Sequence, residues 1–277
     1  MKDYKYPANL PLKDGFDKKK IIKKRAFNLP CNMLVIGKSG SGKSNIAVGM
    51  LMRPFDDSDD GGKDFYRHDL KGENIFILSA QANPDEKMFA LMEAKDIPAG
   101  NVSYIEAEQL EGHLNALYHN IIKDTEQNGF QHRLIFIDDL SYGGALLKKH
   151  QGALNEILCN GRKWGISTLI TSQNVVDVPT SCRRQCRGLI LFAMDDRDKE
   201  LLSNDFREKI GKKEFYNLIS NATEGKHSYL VIDKSEGKVF KERYKDMNFD
   251  IMPDHVFKEM VEKAPVWSLG AWNKIFD

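Results

Sequence analysis

Short apolar blocks, punctuated by glycine, proline and charge, recur along the chain, and their lengths separate strands from helices. Residues 31–36, 74–79, 133–140 and 189–193 are mostly apolar runs, and residues 166–171, with Ile166, Leu169 and Ile170 among Ser and Thr, predict another buried strand. Runs without alternation belong to strands covered on both faces, as in the interior of a parallel sheet. Residues 102–105 predict a further, shorter strand. Between these blocks the apolar positions recur at helical spacing. Residues 45–52 and 86–93 predict short helices, the second begun by Asn83-Pro84-Asp85. Residues 109–126 predict a longer one, with Leu110, Leu114, Leu117, Ile121 and Ile122 on one stripe. Residues 145–160 predict another around Leu146, Leu147, Leu154, Ile157 and Leu158, and residues 197–220 are helix-rich. Residues 228–233 and 238–241, joined by Lys234-Ser235-Glu236-Gly237, predict a terminal hairpin. Strands that alternate with helices predict an α/β fold, a twisted, mostly parallel sheet with helices on both faces.

The chemistry enters where the first strand opens onto the first helix. Gly37-Lys38-Ser39-Gly40-Ser41-Gly42-Lys43-Ser44 is a complete Walker A pattern in the strand, loop, helix context it requires. Its glycines admit backbone conformations closed to other residues, so successive N–H groups can face a di- or triphosphate. The helix beginning near Lys43 adds its positive end. Lys43 is placed for the β- and γ-phosphates, and the Ser44 hydroxyl for Mg2+.

Asp138 and Asp139 end the apolar strand at residues 133–140, roughly ninety residues after the glycine loop. A carboxylate at a strand end on the same rim as the loop is the Walker B arrangement. Asp138 is the candidate magnesium ligand through water, and Asp139 the candidate base for the attacking water. Both elements point to a P-loop NTPase in which a strand stands between the Walker A and Walker B strands. Gln173, closing the strand after Walker B, is placed to sense the γ-phosphate or to position water.

Composition narrows the class further. The chain has 277 residues, 41% hydrophobic and 29% charged, which reads as a soluble globular protein with a substantial core. A net charge of +1 leaves any nucleic-acid surface to local patches. No apolar run is long enough to span a membrane and no signal-peptide core opens the chain, so an intracellular protein is expected. The cysteines Cys31, Cys159, Cys182 and Cys186 are too scattered for a disulfide framework and read as reduced thiols. Residues 1–30 form a basic arm containing Lys18-Lys19-Lys20 and Lys23-Lys24-Arg25, residues 31–245 the ATPase core, and residues 246–277 a polar tail. The acidic, glycine-containing stretch 53–71 reads as a surface insertion.

Taken together, GKSGSGKS, IFIDDL, GRKWGISTLITSQ, PTSCRRQCRGLILF and KHSYLVID resemble the viral DNA-packaging ATPases of the FtsK/HerA superfamily, the poxvirus and giant-virus type. The resemblance runs in consistent order over about residues 30 to 245. It implies a ring, a pentamer or hexamer, that hydrolyses ATP with magnesium to drive double-stranded DNA into a preformed capsid, docked on capsid or portal in an infected cell. It matches Arg162 and Arg183 to arginines of the family, which makes them candidates for an arginine acting in trans on a neighbour's nucleotide. Asp139 stands where the wider superfamily usually has Glu. Lys163-Trp164 and Gln185 replace a His and an Asn of the family's stretches. Lys148, Lys149 and His150, beyond the Gly143-Gly144 loop, are candidate DNA contacts.

Other readings are a cellular HerA-like translocase or helicase, which usually carries extra domains, and a non-motor nucleotide-binding protein associated with the capsid. A guanine-nucleotide switch lacks its Asn-Lys-x-Asp stretch here, and a transporter ATPase lacks its Leu-Ser-Gly-Gly-Gln signature.

Overall fold

The computed structural model describes residues 27–52, 66, 69–79, 86–139, 152–206, 211–224 and 227–234. Among them, seven strands form one sheet. In chain order these are β1 (Asn32–Ile36), β2 (Ile75–Ser79), β3 (Val102–Tyr104), β4 (Arg133–Asp138), β5 (Ile166–Ser172), β6 (Gly188–Phe192) and β7 (Tyr229–Asp233). The order across the sheet is β3-β2-β4-β5-β1-β6-β7, parallel throughout except where β7 runs antiparallel to β6. The helices are α1 (Lys43–Met52), α2 (Glu86–Ala94), α3 (Leu110–Asn128), α4 (Gly152–Asn160), α5 (Thr180–Gln185), α6 (Asp196–Phe206) and α7 (Lys212–Ala222).

The strands are apolar on both sides because each side has its own core. Met33 and Val35 of β1, Leu134 and Phe136 of β4, and Ile190 and Phe192 of β6 point to the face covered by α1 and α2. Leu34 and Ile36, Ile135 and Ile137, and Leu189 and Leu191 point to the face covered by α3, α4, α5 and the later helices. This is the period of two expected of a pleated strand, concealed in the sequence because both phases are hydrophobic.

The predicted α/β fold is present, with most boundaries shifted by a residue or two. In α3 the buried stripe is Leu110, Leu114, Tyr118 and Ile121, while Leu117 and Ile122 are only partly covered. The first-listed four recur at a spacing of three to four residues, and Tyr118 takes the centre of the stripe in place of Leu117. The basic stretch before β6 begins as the short helix α5. The arm's last residues belong to the core, since Phe27 is buried, packs over Gly188 and donates its N–H to the Tyr66 hydroxyl. The second strand of the expected hairpin, most of the insertion at 53–71, residues 1–26 and the tail lie outside the described residues.

The turn into β5 is a point of close approach. Gly165 has φ +74°, and a Cβ there would stand 2.0 Å from the Gln131 carbonyl oxygen, so only glycine fits. Its own carbonyl accepts the Arg133 N–H, tying the starts of β4 and β5 together.

Three of the four cysteines are buried and all are unpaired. Burial pushes the Cys186 and Cys31 thiols up to about 12 and Cys182 up to about 11. Thiolate is the reactive form, so these three should be inert in the native protein. We expect a maleimide or disulfide reagent at neutral pH to label Cys159 rapidly and Cys31, Cys182 and Cys186 only after denaturation, read by peptide mass spectrometry. Equal native labelling of Cys182 or Cys186 would contradict the packing of α5.

Candidate active site

The sheet order puts the glycine loop after β1 and the acidic pair after β4 on one rim, with β5 between them. At the first position of the loop, Gly37, a Cβ would stand 2.6 Å from both Phe192 Cβ and Ser41 Oγ, so a side chain there would close the turn. Gly40 and Gly42 have φ of +72° and +109°. Lys38, Ser39 and Gly40 are exposed, and Ser41 to Ser44 are half-buried at the start of α1. Lys43 Nζ donates to the loop's own carbonyls, to Gly37 at 2.7 Å and Lys38 at 3.1 Å. Burial pulls its pKa below the ordinary lysine value, while the charges of Asp139 and Asp138 oppose that shift.

The last residues of β5 tie the two motifs together. The Gly37 N–H donates to the Ser172 carbonyl at 3.2 Å. Thr171 Oγ1 donates to Asp138 Oδ1 at 2.8 Å and accepts the Asp139 N–H, also at 2.8 Å. Gln173 Nε2 donates to Asp139 Oδ2 at 2.9 Å. Asp139 is 5% exposed and takes φ +51°, a left-handed conformation that turns the chain as β4 ends. Gln173 thus lies against the candidate base, and Thr171, absent from the sequence reading, lies against both acids. A second residue missed there is His227, whose ring nitrogen Nδ1 lies 3.1 Å from the Ser41 carbonyl oxygen. It comes from the turn before β7, nearly two hundred residues from the loop, within the stretch KHSYLVID, which reads in the sequence only as a strand.

The donors suit magnesium held with a nucleotide. Ser44 and Asp138 offer hard oxygens, and among the described residues no group of three His, Cys, Asp or Glu could hold a metal ion. An ion that keeps several waters and takes other oxygens from phosphate needs only one or two such protein ligands.

The sequence profile described as poxvirus A32 protein matches residues 96–267, more than half of the chain. The chain belongs to this family. No curated protein sequence matches it. Among solved structures, the DNA-packaging ATPase of Sulfolobus turreted icosahedral virus is similar with a TM-score of 0.53 at 16% identity, covering 76% of this chain and 96% of that one. The genome packaging NTPase of Sulfolobus turreted icosahedral virus 2, solved with ATP-gammaS, has a TM-score of 0.51 at 15% identity over 76% and 96% of the two chains. EssC of Geobacillus thermodenitrificans, ATPases 2 and 3, has a TM-score of 0.51 at 11% identity over 84% of this chain and 43% of that chain. At these identities the likenesses show a shared fold. No helix among the described residues is long and apolar enough to cross a membrane.

In this member of the family the two candidate arginines have different surroundings. Arg183 is 5% exposed. Its Nε donates to Asp205 Oδ2 at 2.7 Å, its Nη1 to the Val175 and Val178 carbonyls, and its Nη2 to Thr180 Oγ1. In this chain the guanidinium is enclosed and holds the loop that follows Gln173, unlike the exposed side chain expected of a trans-acting arginine. Asp198 holds the same loop by accepting the Val175 N–H at 3.2 Å. Arg162 is exposed, in the turn Gly161–Trp164 before β5. It stands at the opposite rim from its own glycine loop, about 20 Å away at roughly 3.3 Å per strand residue. Lys148, Lys149 and His150 lie outside the described residues.

The Arg183–Asp205 pair is buried on both sides, so losing one partner strands a charge. We expect Arg183→Ala to lower unfolding stability by about 3–5 kcal/mol in urea titrations and Arg162→Ala, at an exposed site, by less than about 0.5 kcal/mol. Equal, small effects would remove the anchoring role.

Proposed function

We propose that the protein is an ATPase that packages viral double-stranded DNA into a capsid, working as a homo-oligomeric ring. The observation that carries the reading is the placement of Lys43, Asp138 and Asp139 on one rim, tied through the end of β5. Family membership and the similar folds of viral packaging NTPases support it.

The residues divide the work as follows. The loop N–H groups from Gly37 to Ser44 and the positive end of α1 bind the phosphates. Lys43 leaves the carbonyls of Gly37 and Lys38 to meet the β- and γ-phosphates, a local exchange of hydrogen-bond partners. Ser44 and, through water, Asp138 would hold Mg2+, which would supply positive charge to offset that of the phosphates. Asp139 accepts a proton from the attacking water, and its carboxylate is released by Gln173, whose amide then turns to that water or to the γ-phosphate. Arg162, remote from its own site, supplies positive charge to the nucleotide of the next subunit. Phosphate contacts from lysine and arginine grip DNA without reading its sequence, Lys148, Lys149 and His150 being the proposed set. Adenine is the proposed base, and the proposed place of action is the capsid or portal in the infected cell, a reading the family supports.

We expect Lys43→Ala to lower steady-state ATP turnover by about 10²-fold or more with the fold retained by circular dichroism, since the loop needs its glycines but not its lysine. Wild-type turnover should rise with long double-stranded DNA of any sequence, and the rise should fade between low and moderate salt. Unchanged turnover in the lysine variant would sink the site, and a DNA-indifferent ATPase would sink the DNA-motor part alone. Arg162→Ala should bind ATP normally and hydrolyse it about 10³-fold more slowly, with activity partly restored by mixing with Asp138→Asn subunits. No restoration in mixed rings would exclude Arg162 as the trans-acting group.

A further inference from the structure

We propose that Thr171 is a positioning residue for hydrolysis, acting through Asp138 and Asp139 and not on the nucleotide itself. The inference rests on the ATPase reading above and adds a group that neither the motifs nor the family description assigns. A hydroxyl has one proton, and that of Thr171 goes to Asp138 Oδ1 at 2.8 Å. Its oxygen accepts the N–H of Asp139, at 2.8 Å. The first bond fixes the orientation of the Asp138 carboxylate by holding its Oδ1 against β5. The second fixes the peptide between the two acids and holds the φ of +51° at Asp139. Gln173, two residues further along the same segment, holds the other end of Asp139 through Oδ2. The base is thereby gripped at backbone and side chain by one segment.

The hydroxyl is itself held by rigid parts. Thr171 is 1% exposed and sits within β5, opposite Val35 of β1, with Ile170 opposite Ile137 of β4. Its rotamer is restricted by branching at Cβ and by the ladders on either side. A buried central strand position would accept valine of the same shape, so packing alone does not call for threonine here. The hydroxyl, by contrast, has a defined use in both directions. Outer partners that orient a ligating carboxylate typically change metal affinity or activity about 10- to 100-fold when removed.

The test uses the full-length protein, a fluorescent non-hydrolysable ATP analogue, and Mn2+ as a paramagnetic stand-in for magnesium. Affinity is measured in EDTA and in Mn2+, and bound Mn2+ is counted by electron paramagnetic resonance. Thr171→Val should leave affinity in EDTA within about twofold and reduce the Mn2+-dependent gain about tenfold. Asp138→Asn should do the same, and the double variant should be no weaker than Asp138→Asn alone, because Thr171 works through that carboxylate. Thr171→Ser, which keeps the hydroxyl, should restore the gain to within about threefold, and kcat should follow the same order. Scoring only the folded fraction, counted by binding stoichiometry in EDTA, separates this from misfolding, and Thr171→Ala serves if the valine variant folds poorly. A wild-type metal gain in Thr171→Val, or losses that multiply in the double variant, would overturn the inference. A wild-type protein that binds no nucleotide in either condition would instead overturn the ATPase reading.

Discussion

The parallel ladder that seats β5 between β1 and β4 is the constraint on which the rest of the site depends. Parallel strands end on the same rim, so the glycine loop after β1 and the acidic pair after β4 meet only if the strand between them holds their spacing. β5 does this with hydrogen bonds as well as with width. Its last residue accepts the first N–H of the loop, its penultimate residue engages both acids, and the residue beyond it engages Asp139. Movement of β5 relative to either neighbour would therefore be felt by the glycine loop and by both acids at once.

The segment that leaves β5 is held from below by buried charge. Arg183 ties the carbonyls of Val175 and Val178, Asp198 ties the Val175 N–H, and Asp205 balances the arginine. Buried ions cost solvation unless each is paired and its remaining hydrogen-bonding capacity is used. Here one cation is shared among a carboxylate, two carbonyls and a hydroxyl, so the loop after Gln173 has a fixed path. The same economy explains why two arginines of similar sequence setting have different fates. Arg183 is drawn inward because α5 places it against that loop, while Arg162 stays outside at the far rim.

Two layers of apolar packing make this arrangement rigid. Each central strand buries alternate residues in two separate cores, one beneath α1 and α2 and one beneath α3 to α7, so it is packed from both faces. On that frame the loop's outer residues Lys38 to Gly40 are exposed, and the half-buried Lys43 bonds the loop's own carbonyls.

The sequence by itself determined the α/β class, the strand, loop and helix order around Gly37 to Ser44, the acidic end of β4 and the polar end of β5, because these are encoded locally in apolar run length, glycine spacing and strand-terminal charge. The family was legible for the same reason, through stretches read in order along the chain. Only the tertiary structure decided what depends on packing between distant segments. It enclosed Arg183, set Arg162 at the rim away from its own loop, exchanged Leu117 for Tyr118 in the buried stripe of α3, brought His227 to the Ser41 carbonyl and set the Thr171 hydroxyl between Asp138 and Asp139. The physical reason is that a side chain's partner across a sheet is chosen by strand order and register, and neither quantity is written in the residues that surround it in the chain.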